Sequence, residues 1–463
     1  MILEIFLILV AVYLVSRIFK GKENLPPGPN GIPFFGTFPY ASIEEILPVI
    51  QKYGKIFMIK TGVVNILYIC DFKTAKEALS KLEFADRPTW KTMRIVFSNG
   101  THWLHNRRFL LRHLRDLGMG KSKIEGIMRR EIEDLVEDFK KVTKIGPSSL
   151  PFSINVAILN IIWQLVASHR YDFDDKQVEQ FMSKIREIQD AFITISIPKE
   201  SKLRRVCREF EDLVQPFIDN HLKTLDPNNP NDLMDDYLIE MKEKKNQDYS
   251  HFSIKDLVRV TFDLFVAGND TSGNMTRWIL IYMSRFQEIQ EKIQKEIDRV
   301  VPRDTLPGLQ HRNELAFLDA TINEIQRHCS MISMGVFRYT TKDVKLAGYD
   351  IPKETAVISV AGISHKDPRY FKDPEAFDPF RFLDENGKFI PTCEGFQPFG
   401  IGKRQCLGEN FARMELYLIT AALLQNFTFA PPDGEGKMSL APADMANFNF
   451  PKEDQKFSIK YRN

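Results

Sequence analysis

The chain has 463 residues, 43% hydrophobic and 27% charged, a composition ordinary for a large globular protein able to bury an extensive core. Its formal net charge of +2 argues against a nucleic-acid binder. Five cysteines, an odd number with no Cys-x-x-Cys pair, argue against a disulfide framework, and 36 phenylalanines against 13 tyrosines imply much apolar aromatic interior, either plain core or in part the wall of a ligand cavity.

Residues 2–19 are almost wholly apolar, interrupted by Glu4, Ser16 and Arg17 and followed at once by Lys20 and Lys22. At about 1.5 Å per residue such a helix spans the roughly 30 Å core of a bilayer. A cleaved signal peptide carries its positive charge ahead of the apolar run, whereas here the acid comes first and the bases follow. Residues 1–20 therefore read as an uncleaved single-pass anchor, and the basic C-terminal flank leaves the rest of the chain in the cytosol. Leu25-Pro26-Pro27-Gly28-Pro29 follows. Proline fixes φ and stops helices, so residues 21–33 read as a stiff hinge and 34–463 as the body.

In the body, helices are expected over Ser42–Lys52 and Phe72–Leu82, with short strands between them at Ile56–Lys60 and Val63–Ile69. Helical periodicity then dominates from Thr101 to Val300, in segments such as Ile124–Val142, Ile154–Ala167, Gln177–Ile193, Leu203–Leu222 and Ile254–Phe286. After Gly335 the pattern shifts to short strands, with a turn at Ala347-Gly348-Tyr349-Asp350 and an apolar run at Ala356–Ala361. The fold class is mainly α with a minor β-sheet region, without internal repeats or a nucleotide-binding glycine fingerprint.

Four groups of residues carry chemistry. Trp103 and Arg107 sit one helical turn apart; both are donors without acceptor capacity, so they could serve one carboxylate or stack together at the surface. Beside them Arg108, Arg112 and Arg115 form a basic stripe, ordinarily a solvated face. In Ala267-Gly268-Asn269-Asp270-Thr271-Ser272 nearly every residue is a poor helix-interior former. This stretch is either a helix end at Gly268 with a new N-cap after it, or a locally widened turn that admits a small molecule beside the proton-relaying pair Asp270 and Thr271. Glu324 and Arg327 stand at i,i+3, ordinarily a solvated pair worth about 0.2–0.5 kcal/mol. Last comes Phe399-x-x-Gly402-x-Arg404-x-Cys406-x-Gly408. A thiolate is a strong ligand for iron, and its loop must hold it rigid, hydrogen-bonded and open to close approach. Five such matches arise by chance in about one chain in 10⁴. A buried structural cysteine is the reading that suits Cys70, Cys207, Cys329 and Cys393 instead.

The loop resembles the haem-binding loop of the cytochrome P-450 superfamily, the type case of a cysteine thiolate on haem iron. The resemblance runs from anchor and hinge to the helix after Gly408 and is nearest to animal microsomal members. It implies a single catalytic domain of that fold behind the N-terminal anchor, on the cytosolic face of the endoplasmic reticulum membrane, with haem b as cofactor. By this resemblance Cys406 ligates the iron, Phe399 packs beside the sulfur, Gly402 and Gly408 permit the turn and close helix approach, and Gly400 and Ala267 adjoin the haem. Arg404, Trp103, Arg107 and Arg338 reach the propionates, with Arg87 a further candidate. Asp270 and Thr271 become the catalytic proton relay, and Glu324 and Arg327 join Arg381 in a buried structural network that, missing a partner, would leave an unpaired charge costing about 3–5 kcal/mol.

The implied reaction is insertion of one oxygen atom from O2 into a lipophilic small molecule: a steroid, terpenoid, fatty acid or xenobiotic. Electrons come from an NADPH-cytochrome reductase, and a cytochrome b-type donor could also serve. Arg108, Arg112, Arg115 and Lys403 are the expected docking cations for that reductase. The chain departs from the animal microsomal pattern at Ser333 and Phe337, where prolines are common. Those positions flank Ile332 and Val336, which line the substrate cavity by position; Val96, Phe97, Phe262 and Phe265 could line it or be core. Two other readings are a haem-thiolate isomerase or dehydratase acting on hydroperoxides, against which Asp270 and Thr271 speak, and a non-enzymatic haem or lipid-binding sensor, for which no output domain is seen.

Overall fold

The computed structural model describes residues 5, 9–12, 24–32, 35–87, 98–116, 122–175, 178, 180–183, 200–244, 252–434, 436–443 and 448–462. Most of the expected anchor, part of the hinge, most of the helix expected over Gln177–Ile193, and both Val96 and Phe97 lie outside the described residues. Among the described residues no helix is long and apolar enough to cross a membrane.

The chain divides into two compact units. The first comprises residues 1–88, 333–364 and 400–405. Ser42 Oγ accepts the Glu45 N–H and starts α1 (Ile43–Tyr53); Asp71 caps α2 (Phe72–Ser80) in the same way through Thr74. Lys81 is extended, so α2 stops at Ser80, two residues before the expected end, and a 3-10 turn takes over at Leu82–Phe84.

The strands of this unit are β1 (Ile56–Thr61), β2 (Val64–Ile69), β3 (Arg338–Tyr339), β4 (Val344–Leu346), β5 (Tyr349–Ile351) and β6 (Ala356–Ser359). Four form a sheet in the order β1-β2-β6-β3, with β2 and β6 parallel and the other pairs antiparallel. Ala347 and Gly348, both at positive φ, make the tight turn joining β4 to β5. Successive strand side chains point to opposite faces, so Phe57, Ile59, Ile66, Tyr68 and Ile358 feed one core while Met58, Leu67, Ile69 and Val357 feed another. Both faces are covered, which is why these strands read as apolar runs.

The second unit comprises residues 89–332, 365–399 and 406–463. Its helices are α3 (Gly100–Asp116), α4 (Ser122–Val142), α5 (Ser153–Ala167), α6 (Glu200–Thr224), α7 (Leu233–Glu243), α8 (Ile254–Arg285), α9 (Gln287–Val300), α10 (Ala316–Cys329) and α11 (Glu409–Asn426). A hairpin of β7 (Phe427–Ala430) and β8 (Ser458–Tyr461) follows.

The long helix α8 runs about 48 Å at its helical rise and packs against α5 and α11. It is unbroken across Ala267–Ser272, so neither the helix end expected at Gly268 nor a widened turn is present. The poor helix formers are accommodated by tertiary partners. A Cβ on Gly268 would lie 2.8 Å from Ile162 Cδ1 of α5, and one on Gly273 would lie 2.8 Å from Asn155 Nδ2, so these glycines let the two helices approach closely. Asn269 and Asn155 exchange hydrogen bonds between the helices, at 3.0 Å to the Asn155 carbonyl and 3.2 Å between side chains.

Candidate active site

In the first unit the cysteine loop contributes the 3-10 turn Gly402–Arg404. Gly402 has φ +80, and a Cβ there would lie 2.0 Å from the Leu79 carbonyl oxygen in α2, so only glycine fits. Arg404 Nε donates to the Ala85 carbonyl at 2.8 Å, and Arg338 Nη2 donates to the Arg404 carbonyl at 3.3 Å. Arg338, Arg404 and Arg87 are all buried. Burial pushes the neighbouring Asp86 carboxyl up while Arg404 pulls it down. Buried guanidinium groups gathered in this way suit a carboxylate-bearing ligand.

In the second unit the Cys406 N–H donates to the Phe399 carbonyl at 3.0 Å and closes the loop just ahead of α11. Cys406 is open to solvent, yet enough protein surrounds the sulfur that burial pushes its thiol up. A hydrogen bond from the Gly408 N–H and the Arg107 guanidinium pull it down, while Glu409 pushes it up. Burial lowers the Arg107 pKa, and Cys406 raises it again. A thiol held in this balance loses its proton when a metal takes the sulfur. Among the described residues a Cβ on Gly408 would meet nothing within 4 Å.

The Phe399 ring lies under Arg413, 4.9 Å from the guanidinium carbon. Arg413 also donates to Glu409 at 3.0 Å and to Asn323 of α10 at 2.9 Å. Sequence reasoning missed this clamp: Glu409 and Arg413 are visible as an i,i+4 pair, but the aromatic partner lies outside the helix and the amide partner comes from the distant α10.

On α3, Trp103 is buried, which removes the surface-stacking reading, and Arg107 is half-buried one turn later. On α8, Ala267 is exposed and Thr271 half-buried on a helix otherwise largely buried, so their shared face is open. Thr271 Oγ1 donates to the Ala267 carbonyl at 2.7 Å, and Asp270 is buried. Glu415 of α11 takes a hydrogen bond from Ser272, and burial pushes its carboxyl up to about 8. The chemistry of these groups, a cysteine sulfur backed by an N–H donor and a cation, a donor-only Trp-Arg pair and an exposed Ala-Thr helix face, fits a haem with a thiolate ligand.

Glu324 and Arg327 are both fully buried and pair through two 2.7 Å bonds, not as the solvated pair that spacing alone suggests. Arg327 also donates to the carbonyls of His365 and Pro374 at 2.8 Å and of Ala376 at 3.2 Å. Arg381 Nε lies 3.5 Å from Glu324 Oε1, and the Asp378 N–H donates to the same oxygen at 2.9 Å. Burial pushes the Glu324 carboxyl up, and Arg327, the Asp378 N–H and Arg381 pull it back. The network staples α10 to the segment leading into the cysteine loop.

Of the cavity candidates, Phe265 is fully buried with its ring centroid 4.6 Å from that of Trp163, and Phe262 packs 4.9 Å from Phe210; both are core. Ile332 is half-buried against the main core of the second unit, and Val336 is exposed in the first. Ser333 is buried with its carbonyl taking the Gly362 N–H at 2.9 Å, and Phe337 packs on the sheet core. Arg108, Arg112 and Arg115 form an exposed face on α3, where Arg112 pairs with Glu240; Lys403 is exposed in the first unit. Elsewhere, His221, Asp232 and Asp235 bring three potential metal-ligand atoms within 4.8 Å of one another. Both His221 nitrogens are already engaged, at 2.7 Å with the Phe217 carbonyl and 2.9 Å with Asp232, so the cluster clasps α6 to α7.

A sequence model of the family described as Cytochrome P450 matches residues 26–458, which spans both units. The chain is 41% identical to cytochrome P450 2L1 of Panulirus argus, over 96% of each chain. It is 35% identical to cytochrome P450 2J2 of Homo sapiens, covering 93% of this chain and 91% of that one. Identity to cytochrome P450 2C28 of Mesocricetus auratus is 34%, over 92% of each.

Proposed function

We propose that this chain, which belongs to the cytochrome P450 family and is a haem-thiolate monooxygenase, inserts one oxygen atom from O2 into a lipophilic small molecule, using electrons from an NADPH-dependent reductase. Members of the family bind haem b through a cysteine thiolate. The observation that carries the reading is Cys406, an exposed residue whose sulfur takes a hydrogen bond from the Gly408 N–H and lies within the field of the Arg107 guanidinium.

Bound haem supplies dioxygen activation and one-electron chemistry. Cys406 would give its thiolate to the iron, and the Gly408 N–H and Arg107 would stabilise the charge that remains on sulfur. Arg413 holds the Phe399 ring beside the loop, so the sulfur keeps one orientation. Trp103 and Arg107 would donate to a propionate, a kind of role that the family resemblance also gives to Arg338 and Arg404. Thr271 Oγ1, now donating to the Ala267 carbonyl, is placed on the open helix face from which it could hand on a proton, with Asp270 as the resupplying acid. Glu324, Arg327 and Arg381 do no chemistry in this scheme; they hold the polypeptide that presents the ligand. The half-buried Ile332 and the apolar interior favour a lipophilic substrate.

Residues 1–20 would anchor the protein in the endoplasmic reticulum membrane, with the hinge at 21–33 and the catalytic domain at 34–463 on the cytosolic side. The exposed arginines of α3 are the reductase-facing surface in this reading, and charge reversal at Arg112 and Arg115 that left electron transfer unchanged at low salt would remove that assignment.

The test is the carbon monoxide difference spectrum of the reduced protein together with reconstituted turnover. Wild type should give the thiolate-shifted band, Cys406→Ser should lose it, and product should require NADPH, reductase and O2 together. A shifted band surviving in Cys406→Ser, or turnover without reductant, overturns the proposal.

A further inference from the structure

Ser330 ends α10 at φ +43, a left-handed position that costs a non-glycine residue about 1–2 kcal/mol. Its hydroxyl is committed: it donates to the Arg327 carbonyl at 2.8 Å and lies 2.8 Å from His365 Nδ1. With its one proton already donated, Ser330 Oγ can only accept from His365, so Nδ1 carries the imidazole hydrogen and Nε2 is left as an acceptor. The backbone N–H of Gln397 donates to that Nε2 at 3.0 Å. Each group in the chain from the Arg327 carbonyl through Ser330 and His365 to Gln397 therefore has one allowed role.

The His365 ring is buried, with Phe396 packed beside it at 5.8 Å between centroids. Burial and then the nearby Arg327 push the imidazole down to about 3, so it stays neutral at working pH. Its own carbonyl accepts from Arg327, which ties the ring's position to the Glu324–Arg327 pair. Gln397 stands two residues before Phe399, whose carbonyl receives the Cys406 N–H.

The geometry points to His365 as a positioning residue for the thiolate ligand, coupling the end of α10 through one neutral tautomer to the strand of chain that enters the cysteine loop. This rests on the haem-thiolate reading and extends it to Ser330, His365 and the Gln397 backbone. What the coupling supplies is an acceptor at one point in space. Without it the 3.0 Å bond that holds the Gln397 N–H at that point is lost, and the segment entering the loop is free to shift.

The experiment uses the full haem-loaded protein and three substitutions. In His365→Gln the amide oxygen can reach the place of Nε2 and keep the acceptor; His365→Asn reaches only the place of Nδ1 and loses it; Ser330→Ala leaves the ring packing intact but releases the tautomer. The readout is the fraction of reduced carbon monoxide complex in the thiolate-shifted band, followed during mild warming below the unfolding temperature given by circular dichroism. Wild type and His365→Gln should lose that band slowly, His365→Asn at least fivefold faster, and Ser330→Ala at least twofold faster. If His365→Asn cannot be obtained folded, Ser330→Ala decides alone. Asn decaying at the wild-type rate, Asn and Gln decaying equally fast, or Ser330→Ala decaying at the wild-type rate overturns the assignment. A wild type that never shows the shifted band overturns the haem-thiolate reading itself, which separates the two failures.

Discussion

Replacing Arg327 by Met removes the cation at the centre of the buried network while keeping most of the side-chain volume. The guanidinium makes two 2.7 Å bonds to Glu324 and reaches the carbonyls of His365, Pro374 and Ala376. Without it, the fully buried Glu324 keeps the Asp378 N–H at 2.9 Å and Arg381 at 3.5 Å. Breaking one partner of a buried ion pair costs about 3–5 kcal/mol. At a urea dependence of about 3 kcal/mol per molar, the unfolding midpoint should fall by about 1–1.7 M. The penalty should shrink as pH is lowered, because a lone buried carboxylate escapes its desolvation cost by taking a proton. The double variant Glu324→Leu/Arg327→Met should recover part of the loss, since no charge is then left unpaired. Urea titrations followed by haem absorbance and tryptophan fluorescence measure all three. A midpoint drop below about 0.3 M for the single variant, or a double variant no better than the single, refutes the argument that the pair is held by mutual neutralisation.

Thr271→Ala should leave the carbon monoxide spectrum intact and raise hydrogen peroxide released per NADPH at the expense of product; unchanged coupling would mean that protons arrive by another route. Gly402→Ala places a methyl 2.0 Å from the Leu79 carbonyl at φ +80 and should cost about 2 kcal/mol or more, read as a lower thermal midpoint and reduced haem retention. A change of less than about 0.5 kcal/mol would show that the turn relaxes freely. The hydrogen bond to Asp232 pushes the His221 imidazole up to about 9. A raised folded-state pKa stabilises fully below the unfolded value near 6.5 and fades as pH rises through 9. The stability difference between wild type and His221→Gln should accordingly be largest below pH 6.5 and fall away toward pH 9; a difference independent of pH would assign the clasp to packing instead.

The candidate site stands out in the sequence because its chemistry needs residue types that are rare in combination. Cys406 flanked by Phe399, Gly402, Arg404 and Gly408 is one such set, and the identity of Glu324, Arg327 and Arg381 is another. Local patterns were less reliable wherever tertiary partners outweighed propensity. The run Ala267–Ser272 looked like a break in a helix, yet α8 continues through it because Ile162 fills the space over Gly268 and Asn155 satisfies Asn269. The Glu324–Arg327 spacing permitted an exposed pair, and only burial made it a staple.

By itself, then, the order of residues singled out one cysteine loop as the candidate for the ligand, required a body mainly helical with a minor sheet, and identified the acids and bases expected to accompany the loop. These follow from side-chain chemistry and from periodicities of 3.6 and 2, which are local properties. The tertiary structure decided which partner each group meets: Arg413 over the Phe399 ring, Leu79 against Gly402, and the Ser330 hydroxyl and Gln397 N–H on opposite nitrogens of His365. Those contacts join segments tens to hundreds of residues apart, and no local propensity encodes them. They exist because a buried donor, acceptor or charge left without a partner is costly once water is excluded.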